Sequence, residues 1–327
     1  MKQSSRRRFL QQTAGLTASA LAAPFFPAIL EADSQGRPHR QPDVQFPTGP
    51  AGRLAVASYP FRAYITGGAG QRMHKPKAPA MTLLDFPAMV VKRFGVHGVE
   101  PLSAHFSSTS VSYLGQFREA VEKAGAFVAN IPLDERFSFY HPDAAIRQQA
   151  VDTGKCWVDV AKTIGSPSIR AHIEGVRGVK PDVDRAAQSL TQLADYGASH
   201  NIVINLENDD AVSEDAFFIV HIIEKVNHPF LRALPDFANS MQSGNADFDY
   251  RAIAAMFHHA YNISHAKFGE MADHDRYVSV DVAKTIGIAK AAGYRGYFSM
   301  EWEGPGRDPF AGTASLIKEC LKDLSSD

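Results

Sequence analysis

Residues 297–303 read Y-F-S-M-E-W-E and run into G-P-G at 304–306. An apolar, aromatic run thus ends in two glutamates, Glu301 and Glu303, two positions apart. Side chains alternate from face to face along a strand. Phe298, Met300 and Trp302 therefore share one face, and Ser299, Glu301 and Glu303 the other. An apolar back and a front tipped with carboxylates suit a strand that packs under helices on one side and opens into a barrel mouth on the other.

The same unit recurs along the chain. Short apolar runs read as strands at 54–58, 96–100, 126–130, 168–172, 202–207, 231–236, 263–267 and 296–301. Helical patterns follow them at 82–94, 112–124, 143–164, 182–200, 213–226, 249–260, 281–292 and 311–323. Start signals support several of these, such as Thr82 with Asp85, Pro181-Asp182, and Ser213 ahead of Glu214-Asp215. Eight alternations over about 270 residues predict a (β/α)8 TIM barrel spanning 51–327. The competing doubly wound sheet carries a glycine-rich phosphate turn after its first strand. Here that strand runs into S-Y-P-F-R-A-Y at 58–64, and the Gly67-Gly68-Ala69-Gly70 patch lies further on in a polar loop.

Alternation places a polar residue at the C-terminal end of four successive strands: Glu207, Asp236, His265 and Glu301. That end is where barrels of this type hold their sites. Taken singly, each acid is at home bonding a loop amide. Together, three carboxylates in one mouth raise one another's pKa unless a cation neutralises them. One imidazole with three carboxylates is an oxygen-rich set for one divalent metal, Mn2+ first, with Mg2+, Co2+ or Zn2+ as alternatives.

Other strand-end residues read as substrate contacts: Glu100, Arg170, His172, Lys267 and Glu303, with His105 as a further one. A salt bridge at the barrel bottom is the competing reading for Arg170, and a loop contact for His105. Tyr59, Phe61 and Trp302 offer rings for stacking on a sugar, core packing being the alternative. The loops 63–79 and 269–279 are long for βα connections and read as lids. Cys156 and Cys320 fall on helices that are not neighbours in a closed ring, so two buried free thiols and no disulfide are expected.

At this point the chain resembles the xylose isomerase-like barrel superfamily, which contains sugar phosphate isomerases and epimerases, ketose 3-epimerases, inosose dehydratases and endonuclease IV. The stretches that carry the resemblance are N-L-E-N (205–208), L-P-D-F-A-N (234–239), S-H-A-K-F (264–268) and A-A-G-Y-R-G-Y-F-S-M-E-W-E-G (291–304). It implies that Glu207, Asp236, His265 and Glu301 bind one divalent metal, and that Glu207 and Glu301 also move the substrate proton. Two positions depart from the epimerase pattern. Asn239 stands where the epimerases place a His, and Asn208-Asp209-Asp210 replaces a polar stretch containing Arg. The extra His and Asp ligands and the basic groove of endonuclease IV are not found.

The N-terminus reads differently from the rest. Ser5-Arg6-Arg7-Arg8-Phe9-Leu10 resembles a twin-arginine export signal, and Ala20-Leu21-Ala22 a cleavage site. Residues 1–30 are expected to be a signal peptide and 31–50 a polar, Pro/Gly-rich linker, with the mature protein exported to the periplasm or secreted. Of the 34 Lys and Arg, four lie in that basic start, leaving 30 against 35 Asp and Glu. A mildly acidic body gives no electrostatic reason to expect nucleic acid or an anionic membrane as partner. No later stretch is apolar enough for a membrane span of roughly 20 residues.

These readings converge on a divalent-metal isomerase or epimerase that moves a proton through a metal-stabilised enediolate of a free sugar, keto-sugar or cyclitol. Export and the lack of a phosphate clamp favour an unphosphorylated substrate. The alternatives are a metal-dependent lyase or hydrolase that eliminates the aglycone of a keto-glycoside, with Glu303, His172 or His105 as acid, and a non-catalytic carbohydrate-binding barrel. Assembly into a homo-oligomer is a further expectation.

Overall fold

The strands form where β-branched and aromatic residues alternate with small or polar ones, and the helices where the apolar spacing changes to 3.6. In the computed structural model, which describes residues 40–68, 76–135, 137–209, 215–241, 245–272, 276–304 and 308–326, these segments build one parallel ring. The strands are β1 (Leu54–Ala57), β2 (Gly98–Glu100), β3 (Phe127–Val128 and, after a break, Ile131–Pro132), β4 (Ser168–Ala171), β5 (Val203–Glu207), β6 (Leu231–Leu234), β7 (Ile263–Ala266) and β8 (Tyr297–Met300). The helices are α1 (Phe86–Phe94), α2 (Val111–Lys123), α3 (Ala144–Ile164), α4 (Val183–His200), α5 (Ala216–Val226), α6 (Ala246–His259), α7 (Val282–Ala291) and α8 (Pro309–Ser325).

Parallel ladders run β7-β8-β1-β2-β3 and β3-β4-β5-β6. The two halves of β3 serve different neighbours, Val128 pairing with Val99 and Ile131 with Ile169. The ring closes between β6 and β7 through the bridge Asp236↔His265, with His265 N donating to Pro235 O at 3.1 Å and Phe237 N to His265 O at 3.1 Å. Closure therefore brings Asp236 and His265 side by side. The expected eight-fold alternation is present, with helix starts displaced by a few residues. Asp215, whose side chain accepts from Phe217 N and Phe218 N, caps α5; the predicted start at Ser213 lies outside the described residues.

Alternation behaves as expected on both faces. Phe298 and Met300 join the large core between the strands and the helices. Ala55, Ala129, Leu234, Ile263 and Tyr297 form a small separate cluster inside the ring. Close approach of β1 and β2 requires Gly98, where a Cβ would meet Leu54 O at 2.6 Å.

Three expectations change. The folded body begins before residue 51: Tyr261 Oη donates to Pro42 O at 2.9 Å, and Phe46 packs edge-on against Tyr261 and Tyr297. Residues 41–50 thus cover the N-terminal end of the barrel instead of linking to it, because Phe46 supplies an apolar plug under β8. Cys156 is exposed and Cys320 buried, both free. Cys156 falls outside the buried stripe of α3 set by Gly154, Trp157, Val158 and Ala161. Within the loop at 269–279, Gly269–Ala272 pairs antiparallel with Arg276–Ser279 and forms a ribbon. The signal-peptide reading concerns residues 1–39, which lie outside the described residues. No helix among the described residues is long and apolar enough to cross a membrane.

Candidate metal centre

Glu207 closes β5, Asp236 follows β6 by two residues, His265 lies within β7 and Glu301 follows β8. Each offers one ligand atom, and these atoms all lie within 4.8 Å of one another. His265 Nδ1 sits 2.6 Å from Glu207 Oε1, 3.4 Å from Glu301 Oε2 and 4.0 Å from Asp236 Oδ2. Its Nε2 faces the other way, 3.0 Å from Glu100 Oε1.

The loop after β6 holds Asp236 in one pose. Its Oδ1 accepts from Ala238 N at 2.8 Å and Asn239 N at 2.9 Å. Asn208 braces the same segment, accepting from Asp236 N at 2.7 Å and donating to Asp236 O at 3.2 Å and Ser240 Oγ at 2.8 Å. Asp236 Oδ2 is left buried with no hydrogen-bond partner among the described residues. Glu207 Oε2 is also buried; Arg170 Nε lies 2.7 Å from it, but the N–H does not point along that line, so the contact is an ion pair and not a hydrogen bond.

Two buried cations balance the acids. Arg170 Nη1 also donates to Leu133 O at 3.1 Å and lies 3.2 Å from His172 Nδ1 and 3.8 Å from Asp209 Oδ2. Lys267 Nζ lies 3.1 Å from Glu301 Oε2 and 3.4 Å from Asp236 Oδ2. On its outer side it reaches Glu303 Oε2 at 3.1 Å, Glu270 Oε2 at 3.1 Å and Asn239 Oδ1 at 3.2 Å.

This crowding sets the ionisation. Burial opposes a charge on His265, but Glu100, Glu207 and Glu301 outweigh it and raise its pKa well above the usual imidazole value. Burial likewise opposes the charge on Glu301, yet His265, Lys267 and Arg170 hold it well below the usual carboxylate range. Asp236 goes the other way. Burial, with Glu207 and Glu301 adding to it, pushes it up to about 7 despite Lys267. A carboxyl raised by burial and by acidic neighbours, with one oxygen lacking a hydrogen-bond partner among the described residues, fits a divalent cation, which would take the place of the proton on His265 Nδ1.

The remaining expected contacts divide. His172 is half-buried beside Arg170, and Glu303 stands between Lys267 and Arg62, whose Nη2 is 3.8 Å away. Tyr59 is half-buried, with the Arg62 guanidinium 4.1 Å over its ring. Burial, with Glu303 adding to it, raises its phenol pKa. Glu100, expected as a substrate contact, is fully buried and bonds His265 and Asn130. Phe61 is core, packed against Phe86, Phe94 and Phe310. Trp302 lies so close on α8 that a Cβ at Gly312 would meet its ring at 2.2 Å, so its face is spent on packing. Arg170 pairs with Glu207 of the candidate metal centre and not with a partner at the barrel bottom. Of Asn130, Asn208, Asn239 and Glu270, the sequence singled out only Asn208 and Asn239, and those as departures from the epimerase pattern and not as braces of the site. A polar residue at or just beyond a strand end was the available signal for the first three; Glu270 lies in the ribbon and carried none.

His105 is a loop contact, as the competing reading held. Leu102 N donates to Ser58 Oγ at 2.8 Å, and Ser58 Oγ pairs with His105 Nδ1 at 2.9 Å. Burial lowers the His105 pKa to about 4. The unfolded chain therefore binds one more proton than the folded one between about pH 6.5 and 4. Stability from this residue is complete above pH 6.5 and falls as pH drops through that window, by about 3 kcal/mol at most. Urea titrations from pH 7 to 4 on His105→Gln should show a flatter profile than the parent; parallel profiles would refute the assignment.

A family model described as xylose isomerase-like TIM barrel matches residues 89–323. The chain belongs to that family. Solved structures agree on the fold. A xylose isomerase-like TIM barrel protein from Mycobacterium smegmatis in complex with magnesium is 18% identical, with a TM-score of 0.60 over 85% of this chain and 98% of that one. The apo 3-keto-D-glucoside 4-epimerase from E. coli is 12% identical, with a TM-score of 0.58 over 83% and 99%. The D-psicose 3-epimerase from Clostridium cellulolyticum H10, with D-tagatose, is 12% identical, with a TM-score of 0.58 over 83% and 96%. Comparison with curated protein sequences finds no match. Within the xylose isomerase-like family the ring places strand ends together, and in this member the ends carry Glu207, Asp236, His265 and Glu301.

Proposed function

We propose that this protein is a divalent-metal-dependent isomerase or epimerase of a free sugar, keto-sugar or cyclitol, with Mn2+ as the favoured ion. The observation that carries the reading is the convergence of Glu207, Asp236, His265 and Glu301 within 4.8 Å, two of them with buried oxygens lacking a hydrogen-bond partner among the described residues. When bound, the cation would polarise a carbonyl and its neighbouring hydroxyl and so acidify the C–H between them. Glu207 and Glu301 come from strands on different sides of the mouth, and each is placed to take or return that proton. Arg170 pairs with Glu207, and His265 with Lys267 holds Glu301 in its ionised form. Sugar epimerases among the similar folds support the reaction class.

An uncharged substrate is favoured because both buried cations are already neutralised. Arg170 is paired with Glu207, and Lys267 with Asp236, Glu301, Glu270 and Glu303. Neither offers spare positive charge to a phosphate. The S-R-R-R-F-L start fits the same picture, since an exported enzyme meets free sugars and glycosides. A second reading, elimination of the aglycone from a keto-glycoside, draws on Glu303. It shares Lys267 with the metal ligand Glu301 and stands at the mouth, where it is placed to protonate a leaving group.

Incubation of the Mn2+-loaded protein with a panel of ketoses and 3-keto-glycosides separates the readings. Epimeric or isomeric products are expected; released aglycone would favour the second reading. Tight sugar binding with no turnover of any compound would overturn both.

A further inference from the structure

A chain of buried amides and a hydroxyl runs through the barrel interior to the metal centre. Asn205 Nδ2 donates to Asn262 Oδ1 at 3.1 Å, Asn262 Nδ2 to Ser168 Oγ at 2.7 Å, and the Ser168 hydroxyl to Asn130 Oδ1 at 2.6 Å. Asn130 Nδ2 then donates to Glu100 Oε1 at 2.8 Å, and His265 Nε2 reaches the same oxygen from the other side at 3.0 Å. All six residues have 0% relative exposure, so solvent cannot substitute for any of these bonds. The chain gathers β2, β3, β4 and β5 and reaches Asn262, the residue before β7.

Direction matters more than number. Every donor points towards Glu100, and Glu100 Oε1 is the acceptor in both of its bonds. Its other oxygen has no hydrogen-bond partner among the described residues, so Asn130 and His265 alone hold the carboxylate. Turning the Asn130 amide over would set its carbonyl against that carboxylate and its NH2 against the Ser168 hydroxyl. The chain therefore has one favourable orientation, and it ends with a proton on His265 Nε2. That leaves Nδ1 facing Glu207, Asp236 and Glu301. A carboxylate behind a histidine ligand fixes its tautomer and ring angle and raises its basicity.

We infer that Glu100 is a positioning residue: held by the Asn130–Ser168–Asn262–Asn205 chain, it keeps the proton of His265 on Nε2 and aims Nδ1 at the metal. Metal affinity is then set inside the barrel as well as at its mouth. The inference rests on the metal reading of the four strand-end residues and is independent of which sugar is turned over.

Two measurements test it. In the histidine-15N-labelled, Zn2+-loaded protein, the His265 ring should show the proton on Nε2 and the metal on Nδ1, its signals identified by their loss in His265→Asn. A ring metallated at Nε2 would overturn the assignment without any change at Glu100. Separately, competition titration with Mn2+ should show E100A weakened about 10- to 100-fold, with E100Q, which keeps an oxygen acceptor, recovering much of that loss. E100A with unchanged Mn2+ affinity and only a lower Tm would mark Glu100 as purely structural and refute the role. If the parent protein binds no Mn2+, the metal reading and this inference fall together. If it binds Mn2+ through Nδ1 but turns over no sugar, only the proposed reaction falls.

Discussion

His265→Ala and Glu301→Gln should each bind Mn2+ more than about a hundredfold more weakly than the parent, beyond what loss of an outer partner costs. Each change removes a ligand atom from a cluster whose four atoms lie within 4.8 Å. His265 is the sole nitrogen in the set, and its Nδ1 faces all three carboxylates. Its removal leaves three acids with only Lys267 and Arg170 to balance them. Glu301 is held in the charged form by His265, Lys267 and Arg170, so its loss takes away a ligand that is already a carboxylate. The readout is the rise in Tm on adding Mn2+, which follows from binding to the folded state alone. That rise should be present in the parent and in Glu303→Gln, which lies one step beyond the cluster, and absent in the two ligand variants. A full rise in either ligand variant would refute the assignment.

Glu207→Gln should lower kcat by about 10²- to 10⁴-fold, the range for loss of a positioned general base. The sensitive assay is exchange of the substrate C–H in D2O, which reports proton removal even when the product ratio hides it. The same variant should lose stability, since it strands Arg170, whose Nε lies 2.7 Å from Glu207 Oε2 at 7% and 1% side-chain exposure. Breaking a buried pair by deleting one partner costs about 3–5 kcal/mol. Glu207→Asp separates the two effects. It keeps the charge near Arg170 but draws the carboxylate back from the mouth, so stability should return further than exchange does. Parental exchange rates in Glu207→Gln would remove Glu207 from the reaction.

The barrel was legible because strand and helix signals are local. Leu54, Val203 and Phe298 sit in strands, and the segments around Val158 and Leu190 in helices, for reasons contained within a few neighbouring residues. The four strand ends were legible for the same reason, since a residue's face follows from counting along its own strand. Where local reading failed, a distant partner decided. Trp302 is not such a case, since counting along its strand put it under the helices and α8 packs on its ring at Gly312. Phe46 lies in a polar, proline-rich stretch that reads as linker, and only the rings of Tyr261 and Tyr297 give it a place. Glu100 was rightly placed at the inner end of β2, yet its partner is a histidine 165 residues away.

The amino-acid order by itself thus determined eight strand–helix repeats and which residues end the strands with a carboxylate or an imidazole. Of the two glutamates in Y-F-S-M-E-W-E, it placed both on the inner side. The tertiary structure alone decided how they differ: Glu301 joins Asp236 and His265 because β8 and β7 pair in register, while Glu303 passes beyond the ring to Lys267 and Arg62. It also decided which nitrogen of His265 faces the carboxylates and which oxygens are left without partners. Alternation is a property of one strand, whereas distances, ionisation and ring orientation depend on the register and closure of all eight.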